Sequence, residues 1–420
     1  MSVKEGCTQT DFGPLPRDWR VVPLSELGQP KIGLTYKPSD VREHGTLVLR
    51  SSNVQDGRLS LDSNVFVDPK VAAPALVQQD DILICVRNGS RALIGKCAQI
   101  DQQADGMAFG AFMSVYRTPF ADFVFRQFQS AGMKRQIEQH LGATINQITN
   151  ASLKSFKIPF TDNIEERQAI VSALRCAEDL IASLDALIAK KRDIKQAAMQ
   201  QLLTGRTRLP QFSTTPIVKS EIGEIPEDWE VRSLASLGEP RIGLTYSPSD
   251  VRESGTLVLR SSNVQNGDLS FDDNVFVDSD AAARALVAEG DILICVRNGS
   301  RALIGKCAII DSRAVGMAFG AFMSVFRSPH SSFLHHQFQS HTIQKQIHEH
   351  LGATINQITN ASLRSFRVPF PVDSDERDAI VSVLSDMESE VRALEQKVSK
   401  VRHLREGMMQ QLLTGRIRLA

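Results

Sequence analysis

Two kinds of apolar pattern alternate along this chain. Short apolar runs bounded by turn-forming residues predict strands, and they read TLVLR, NVFVD, DILICVRN, CAQI and FMSVYR at residues 46–50, 64–68, 81–88, 97–100 and 112–117. Residues 120–142 carry a helical pattern with Gly142 as the expected stop, whereas residues 151–160 look extended. The mixture predicts an α+β protein.

Two stretches near 161–205 and 371–420 have a different pattern, which predicts one long helix in each. We expect the first helix from near Ile164 to Leu203 and the second from near Ser374 to Leu413, with glycines 205 and 415 as stops. Apolar residues of the second helix are spaced four and three apart, which indicates a coiled-coil seam: Ile380, Leu384, Met387, Val391, Leu394, Val398 and Val401. The first helix repeats this seam as far as Ile188 and breaks at Lys191. Beyond the break, steps nearer an eleven-residue period place Ile194, Ala198 and Leu202 in the seam, matched by Leu404, Met408 and Leu412. An ordinary amphipathic helix packed on its own domain is the alternative.

The sequence is an internal duplication, in which each segment of the first half recurs 210 residues later. DILICVRNGSRALIGKCA at 81–98 recurs unchanged at 291–308, and LGATINQITNASL at 141–153 recurs at 351–363. We therefore predict two mixed α/β, β-rich domains separated by two long antiparallel coiled-coil helices, with pseudo-two-fold symmetry. The predicted order is a tail at 1–16, a domain at 17–160, a helix at 161–205, a linker at 206–226, a domain at 227–370 and a helix at 371–420.

Composition and charge narrow the functional classes. No apolar run is long enough for a membrane span, and the N-terminus lacks the apolar core of a secretory signal. Six cysteines without a Cys-x-x-Cys pair predict small buried side chains in a reduced cytoplasm, and their spacing fits no zinc site. The formal net charge is zero; residues 17–160 carry +4 and residues 227–370 carry −2. Neutrality argues against nucleic acid, unless basic residues cluster or a partner contributes charge.

Duplication and helix length together favour a DNA target. A helix of about 40 residues is a rod of roughly 60 Å, and major-groove faces on one side of a duplex repeat every 34 Å or so. Two like modules on paired antiparallel rods would match an inverted repeat. A scaffold joining two protein partners is the main alternative, which the neutral charge favours. A duplicated enzyme that uses Cys85 or His140 is a third possibility, although no catalytic motif is present.

Polar residues in loops at strand ends are the candidate DNA contacts. Arginine can donate two hydrogen bonds to guanine, and asparagine can bond adenine in bidentate fashion. The same residue types also form solvated turns, which is the alternative for each. The candidates are Thr35, Tyr36, Arg50, Ser52, Asn53, Arg87, Asn88, Arg91, Asn146 and Gln147, with Thr245, Tyr246, Arg260, Ser262, Asn263, Arg297, Asn298, Arg301, Asn356 and Gln357 in the second copy.

Several short phrases in this order resemble the specificity subunits of type I restriction–modification systems. The chain carries Pro-x-x-Trp at 16–19 and 226–229, and Asp-Ile-Leu at 81–83 and 291–293. It enters each long helix through Ile-Pro-Phe or Val-Pro-Phe and leaves through Gln-Gln-Leu-Leu-Thr-Gly-Arg, at 200–206 and 410–416. Asp378 departs from the family, which often has Gln there, without affecting the expected fold.

The resemblance implies a cytoplasmic, non-catalytic, DNA-binding subunit with two target-recognition domains. It implies docking to two methyltransferase subunits and to endonuclease/translocase subunits, which would carry S-adenosylmethionine, ATP and Mg²⁺. No cofactor or metal is expected on this chain. Because the two copies are nearly alike, we predict a bipartite target with inverted-repeat halves.

Overall fold

The duplication in the sequence is a duplication of structure. The computed structural model describes residues 6–62, 64–141, 146–351 and 356–419. Within these residues the same succession of strands and helices occurs twice at an offset of 210. None of the described helices is long and apolar enough to cross a membrane.

The first copy runs from a hairpin to a long helix. Its elements are β1 (Cys7–Thr10), β2 (Gly13–Pro16), β3 (Trp19–Pro23), α1 (Leu24–Leu27), β4 (Gln29–Ile32), β5 (Val41–Arg42), β6 (Thr46–Leu49), β7 (Val54–Gln55), β8 (Arg58–Leu59), β9 (Phe66–Val67), α2 (Pro69–Ala72), β10 (Ile82–Cys85), β11 (Cys97–Gln99), β12 (Ala108–Phe109), β13 (Met113–Arg117), α3 (Ala121–Gln129), α4 (Ala131–His140), α5 (Asn150–Ser155), β14 (Lys157–Thr161) and α6 (Ile164–Leu202).

The second copy repeats this order. Its elements are β15 (Ile217–Ser220), β16 (Gly223–Pro226), β17 (Trp229–Ser233), α7 (Leu234–Leu237), β18 (Glu239–Ile242), β19 (Val251–Arg252), β20 (Thr256–Leu259), β21 (Val264–Gln265), β22 (Asp268–Leu269), β23 (Phe276–Val277), α8 (Ser279–Ala282), β24 (Ile292–Cys295), β25 (Cys307–Ile309), β26 (Ala318–Phe319), β27 (Met323–Arg327), α9 (Ser331–Gln339), α10 (His341–His350), α11 (Asn360–Ser365), β28 (Arg367–Pro371) and α12 (Ser374–Leu412).

The chain divides into two compact units, each containing one β-rich domain and half of each long helix. The first unit is Met1–Asp185 with Gln396–Ala420, and the second is Ala186–Glu395. Hairpins β1–β2 and β15–β16 occupy segments assigned to the tail and the linker in the sequence analysis. The domain limits given there remain a prediction.

Two four-stranded sheets form the β-rich part of each unit. In the first unit the strand orders are β11-β10-β13-β4 and β12-β6-β9-β5. Strand β10 is buried on both faces, because Ile82 and Ile84 pack in one apolar cluster while Leu83 and Cys85 pack in the other. This two-sided burial explains why the run ILIC is continuously apolar instead of alternating. Strand β24 repeats the arrangement.

Four of the six cysteines are buried as expected. They are Cys85, Cys97, Cys295 and Cys307, whereas Cys7 is half-buried and Cys176 is exposed. Burial raises the pKa of the Cys97 thiol to about 12. The buried thiols are therefore protonated at neutral pH and behave as small apolar groups.

The helical region after β13 differs from the prediction in two ways. The single helix expected over 120–142 is two helices, because Ser130 ends α3 and begins α4 in an extended conformation. Its hydroxyl accepts a hydrogen bond from the Met133 backbone N–H at 3.2 Å and so caps α4. The expected stop, Gly142, lies outside the described residues. Part of the segment expected to be extended forms helix α5, capped by Thr149, before β14 begins.

Both long helices begin and end where the sequence predicts, within one residue. Gly205 and Gly415 follow them with φ of +69° and +62°, which glycine adopts without strain. Beyond Ile188 the predicted seam is wrong at Ile194 and Leu404, whereas Leu202 and Leu412 are buried as predicted. Ile194 is 45% exposed and Leu404 is 61% exposed, whereas the matching Lys195 and Arg405 point inward, with side chains 18% and 21% exposed.

Within each unit the two helix segments run antiparallel. In the first unit Arg402 pairs with Asp185 at 2.9 Å, and Arg405 pairs with Glu178 at 2.8 Å. In the second unit Lys191 pairs with Glu390 at 2.7 Å and Lys195 with Glu388 at 2.5 Å. The residue number rises along one segment as it falls along the other, which confirms antiparallel pairing inside each unit.

Candidate nucleic-acid interface

The loop after β10 is held by backbone hydrogen bonds from both sides. The N–H groups of Val86 and Arg87 both donate to the carbonyl of Phe112, at 3.0 and 3.1 Å, and Ile148 N–H donates to the Val86 carbonyl at 2.8 Å. Arg87 and Gln147 also form an isolated antiparallel bridge. Three chain segments far apart in sequence therefore meet around Arg87.

The side chain of Arg87 stacks on an exposed aromatic ring. Its guanidinium lies 5.3 Å from the centroid of the Phe112 ring, and Phe112 is 58% exposed. In the second unit Arg297 lies 5.0 Å from the Phe322 ring, which is 57% exposed. A cation over a solvent-facing ring gains some attraction from the π face and keeps its N–H donors available at the surface.

A second loop, after β6, adjoins the Arg87 loop. Asn88 donates from Nδ2 to Ser51 Oγ at 3.2 Å and so links the two loops. Asn53 is fully buried; its Oδ1 accepts from the Arg50 backbone N–H at 3.0 Å and its Nδ2 donates to the Ser60 carbonyl at 2.9 Å. Asn53 therefore shapes this loop from within, while Ser52 is exposed and Arg50 is half-buried.

Other candidates in the first unit also hold the loops. Asn146 donates from Nδ2 to the Gly89 carbonyl at 3.2 Å. The Arg91 guanidinium donates to the carbonyls of Glu138 and Leu141, both at 3.0 Å, and so satisfies the C-terminal end of α4. Their side chains stabilise the surface that presents Arg87, because these hydrogen bonds join segments that are far apart in the chain.

The remaining candidates lie beside the turn that carries Phe112. The backbone of Leu34 pairs with Phe109 and Ala111, at 2.7 and 2.9 Å, and this contact places Thr35 next to that turn. Thr35 is exposed, whereas Tyr36 is half-buried against an apolar cluster. Thr35 can therefore offer its hydroxyl to a ligand more readily than Tyr36.

The second unit repeats this construction. Asn298 donates to Ser261 Oγ at 3.1 Å, Asn356 to the Gly299 carbonyl at 3.1 Å and Arg301 to the His348 carbonyl at 3.0 Å, while Asn263 Oδ1 accepts from the Arg260 N–H at 2.9 Å. The backbones of Arg297 and Gln357 form a bridge, Thr245 is exposed, and Tyr246 and Ser262 are half-buried. One difference is that Arg260 forms an ion pair with Asp273 at 2.8 Å. That carboxylate offsets the charge of Arg260.

The exposed phenylalanines were not among the sequence candidates. Phe112 and Phe322 lie in the identical phrase GAFM, two residues after a glycine that follows a strand end. A large apolar residue in a short turn between two strands, kept in both copies, is the signal that could have identified them. Together, Arg87 with Phe112 and Arg297 with Phe322 provide hydrogen-bond donors and an apolar edge on a rigid loop. That chemistry suits a nucleic-acid surface, where arginine reaches phosphates or guanine and apolar groups contact the thymine methyl.

Sequence comparisons give one coherent result. Residues 226–401 match the family model described as the type I restriction modification DNA specificity domain. The chain is 26% identical over 321 residues to the EcoKI specificity subunit of Escherichia coli K12, a match that covers 71% of this chain and 65% of that protein, under two thirds of its length. It is 24% identical over 439 residues to a Methanocaldococcus jannaschii protein that is named as the type I restriction enzyme MjaX specificity subunit. This match covers 99% of this chain and 97% of that protein.

Solved structures show the same fold. A type I restriction–modification S subunit from M. genitalium matches with a TM-score of 0.56 and 13% identity, over 98% of both chains. A chain from a study of assembly and conformational transition of a type I R-M system also has a TM-score of 0.56, with 18% identity, over 96% of this chain and 99% of that one. At these identities the likeness concerns the fold.

Proposed function

We propose that this chain, which is similar to type I restriction–modification specificity subunits, selects the DNA sequence on which such a complex acts. Each β-rich domain reads one half of a bipartite target. The observation that carries the proposal is the repeated pair of an exposed arginine on an exposed phenylalanine, Arg87 on Phe112 and Arg297 on Phe322, in matching loops of the two units. Since both pairs and their supporting hydrogen bonds agree, the two half-sites are inverted repeats of one another.

Catalysis belongs to other subunits in this proposal. The chain docks two methyltransferase subunits and, through the assembled complex, endonuclease/translocase subunits. S-adenosylmethionine, ATP and Mg²⁺ bind to those partners. The chain contributes selection and position, which is consistent with its near-neutral overall charge, because partner subunits can supply further phosphate contacts.

Base-modification mapping tests the predicted target directly. We expect a host methylome to contain a bipartite motif with inverted-repeat halves that disappears when the gene is deleted. An asymmetric motif that depends on the gene would refute the inverted-repeat prediction while leaving DNA selection intact. No gene-dependent motif and no salt-dependent DNA binding would favour the scaffold alternative.

Arginine variants test the surface itself. Arg87→Ala and Arg297→Ala, assembled with the methyltransferase subunits, should weaken discrimination at one base pair in each half-site by about 1–3 kcal/mol if the contact is to a base. A phosphate contact would instead weaken all sequences alike and lower the salt slope by about one. Arg20→Ala is a matched control, since Arg20 also lies over a phenylalanine ring, that of Phe160, at 5.7 Å. Unchanged binding of both variants would exclude this surface.

A further inference from the structure

A pocket in the second unit contains a combination of side chains that the first unit lacks. It lies where α9 meets α12 and β22, and its lining includes Asp268, His335, His336, Ser385, Glu388 and Arg392. All of these residues belong to the second unit. The loop cluster that carries Arg297 includes none of them.

Three of these residues bring possible metal ligands together. One ligand atom each from His335, His336 and Glu388 can be chosen so that all lie within 4.8 Å of one another. His336 Nδ1 lies 3.7 Å from Glu388 Oε1. In tetrahedral zinc coordination with bonds of about 2.0–2.2 Å, neighbouring ligand atoms are roughly 3.4 Å apart. The observed separations need only small side-chain adjustments to reach that geometry.

His336 provides an independent indication of a missing partner. Its side chain is 2% exposed, and Nδ1 is buried without a hydrogen-bond partner among the described residues. A buried polar nitrogen without a partner is costly. A neutral imidazole nitrogen has a lone pair that it can donate to a metal ion.

The neighbouring groups can accommodate an ion. The His335 ring also lies in this pocket and is buried. Its Nε2 lies 2.9 Å from Gln339 Nε2. Lys195 Nζ lies 2.5 Å from Glu388 Oε1. An ion on these ligands would displace the Gln339 amide and the Lys195 ammonium, both of which end flexible side chains.

In the first unit an arginine side chain occupies the position that matches His336. His335 and His336 correspond to Phe125 and Arg126. The Arg126 guanidinium donates to Glu178 Oε2 at 2.9 Å, and Glu178 is the counterpart of Glu388. The second unit has thus lost a buried cation beside a retained carboxylate.

The formal charge of this pocket in the second unit is two units more negative than that of the matching positions in the first unit, which is the charge that a divalent cation would supply. At the nine positions that line the pocket, the second unit has Arg392 against Asp268 and Glu388, a formal charge of −1. The counterparts in the first unit are three arginines and two acids, a formal charge of +1: Arg58, Arg126, Arg175, Asp122 and Glu178. The cation contributed by the paired helix, Lys195 or Arg405, is the same on both sides.

We propose that His335, His336 and Glu388 bind a divalent transition-metal ion, Zn²⁺ by preference, which takes the place of the Arg126 guanidinium of the first unit. Two imidazoles and a carboxylate are ligands that zinc favours. The ion connects helix α9 of the recognition domain to helix α12. Its role is structural, since it is separate from the candidate DNA surface.

Metal titration of the full chain tests this proposal. The chain, freed of any histidine tag and stripped with a chelator, is titrated with Zn²⁺ against a chromogenic competitor and with Co²⁺ in the visible range. We expect one tight equivalent, a Co²⁺ spectrum typical of four-coordinate nitrogen and oxygen ligation, and a higher unfolding midpoint that EDTA reverses. Absence of a stoichiometric ion would overturn the proposal.

Two substitutions and a control locate the ion. His336→Arg introduces the residue that the first unit packs at this place, so it should fold while weakening zinc binding by more than about 100-fold. His336→Gln should also abolish the Co²⁺ spectrum, with far-UV circular dichroism as the folding check for both variants. His44→Gln, an exposed histidine of the first unit, should bind zinc as the parent does. Parent-like binding by His336→Arg, or an equal loss in His44→Gln, would refute the site.

Discussion

Replacing Glu376 by Gln should destabilise the second unit far more than replacing Glu166 destabilises the first. Both carboxylates stand in the first turn of a long helix and receive a bidentate arginine together with a tryptophan N–H. Arg208 donates to Glu376 at 2.8 and 2.6 Å, and Trp229 Nε1 donates at 3.1 Å. Glutamine keeps the side-chain volume, so the change removes charge without opening a cavity.

The difference in magnitude follows from solvent access to the two arginines. Arg208 is 7% exposed and Glu376 is 2% exposed, whereas Arg418, which pairs with Glu166, is 44% exposed. Removing one partner of a buried pair costs about 3 kcal/mol or more, and Arg208 would keep the pair with the more exposed Asp228, at 2.8 Å. Water can solvate Arg418, so Glu166→Gln should cost about 1 kcal/mol. The gap of about 2 kcal/mol corresponds to roughly 30-fold in the unfolding constant.

The chain offers a built-in reporter for each unit, because it has two tryptophans and each contacts the carboxylate in question. In a Trp19→Phe background, urea unfolding followed by fluorescence reports the second unit; in a Trp229→Phe background it reports the first. We expect the larger midpoint shift for Glu376→Gln in the first background. Equal shifts, or a larger one for Glu166→Gln, would refute the reasoning from burial.

Three further changes have defined outcomes. Gly205→Ala should lower the free energy of unfolding of the second unit by more than about 1 kcal/mol, because Gly205 has φ +69° and an added Cβ would lie 2.4 Å from Pro226 Cγ. An unchanged urea midpoint would contradict this. Ser130→Ala removes the N-cap of α4 and should lower the free energy of unfolding of the first unit by about 1 kcal/mol. Urea unfolding in the Trp229→Phe background measures this change, and a stabilised variant would contradict the capping role. A thiol reagent at neutral pH should label the exposed Cys176 rapidly and the buried Cys97 only after unfolding. Peptide mass spectrometry measures the labelling, and label on both cysteines in the folded chain would contradict the burial of Cys97.

The large-scale organisation was predictable because its signals are long and periodic. An exact offset of 210 residues implies duplicated structure, and the spacing in each long helix implied a seam over several turns. Both helices are confirmed within one residue of their expected ends. The break at Ser130 and the helix α5 were not predicted, because the capping hydrogen bonds of Ser130 and Thr149 decide where α4 and α5 begin, and the apolar pattern does not show them.

Neighbours far away in the chain decide the role of each candidate side chain. Asn53 and Arg50 look like exposed recognition residues in the phrase RSSN, yet Asn53 is buried and bonded to Ser60. Arg87 is exposed and stacked on Phe112, a residue 25 positions away in the chain. Local sequence specifies that a polar loop occurs at each place, but not which of its donors the fold already uses.

The sequence by itself determined the duplication, the long paired helices, the continuously apolar central strands and the kinds of residue at the loop ends, because these depend on periodicity and turn chemistry within a short window. Only the tertiary structure decided that Arg87 stacks on Phe112, that Lys195 instead of Ile194 faces the partner helix, and that His336 meets Glu388 across 52 residues. Burial and the pairing of charges depend on segments that chain folding brings together, and such contacts leave no local pattern.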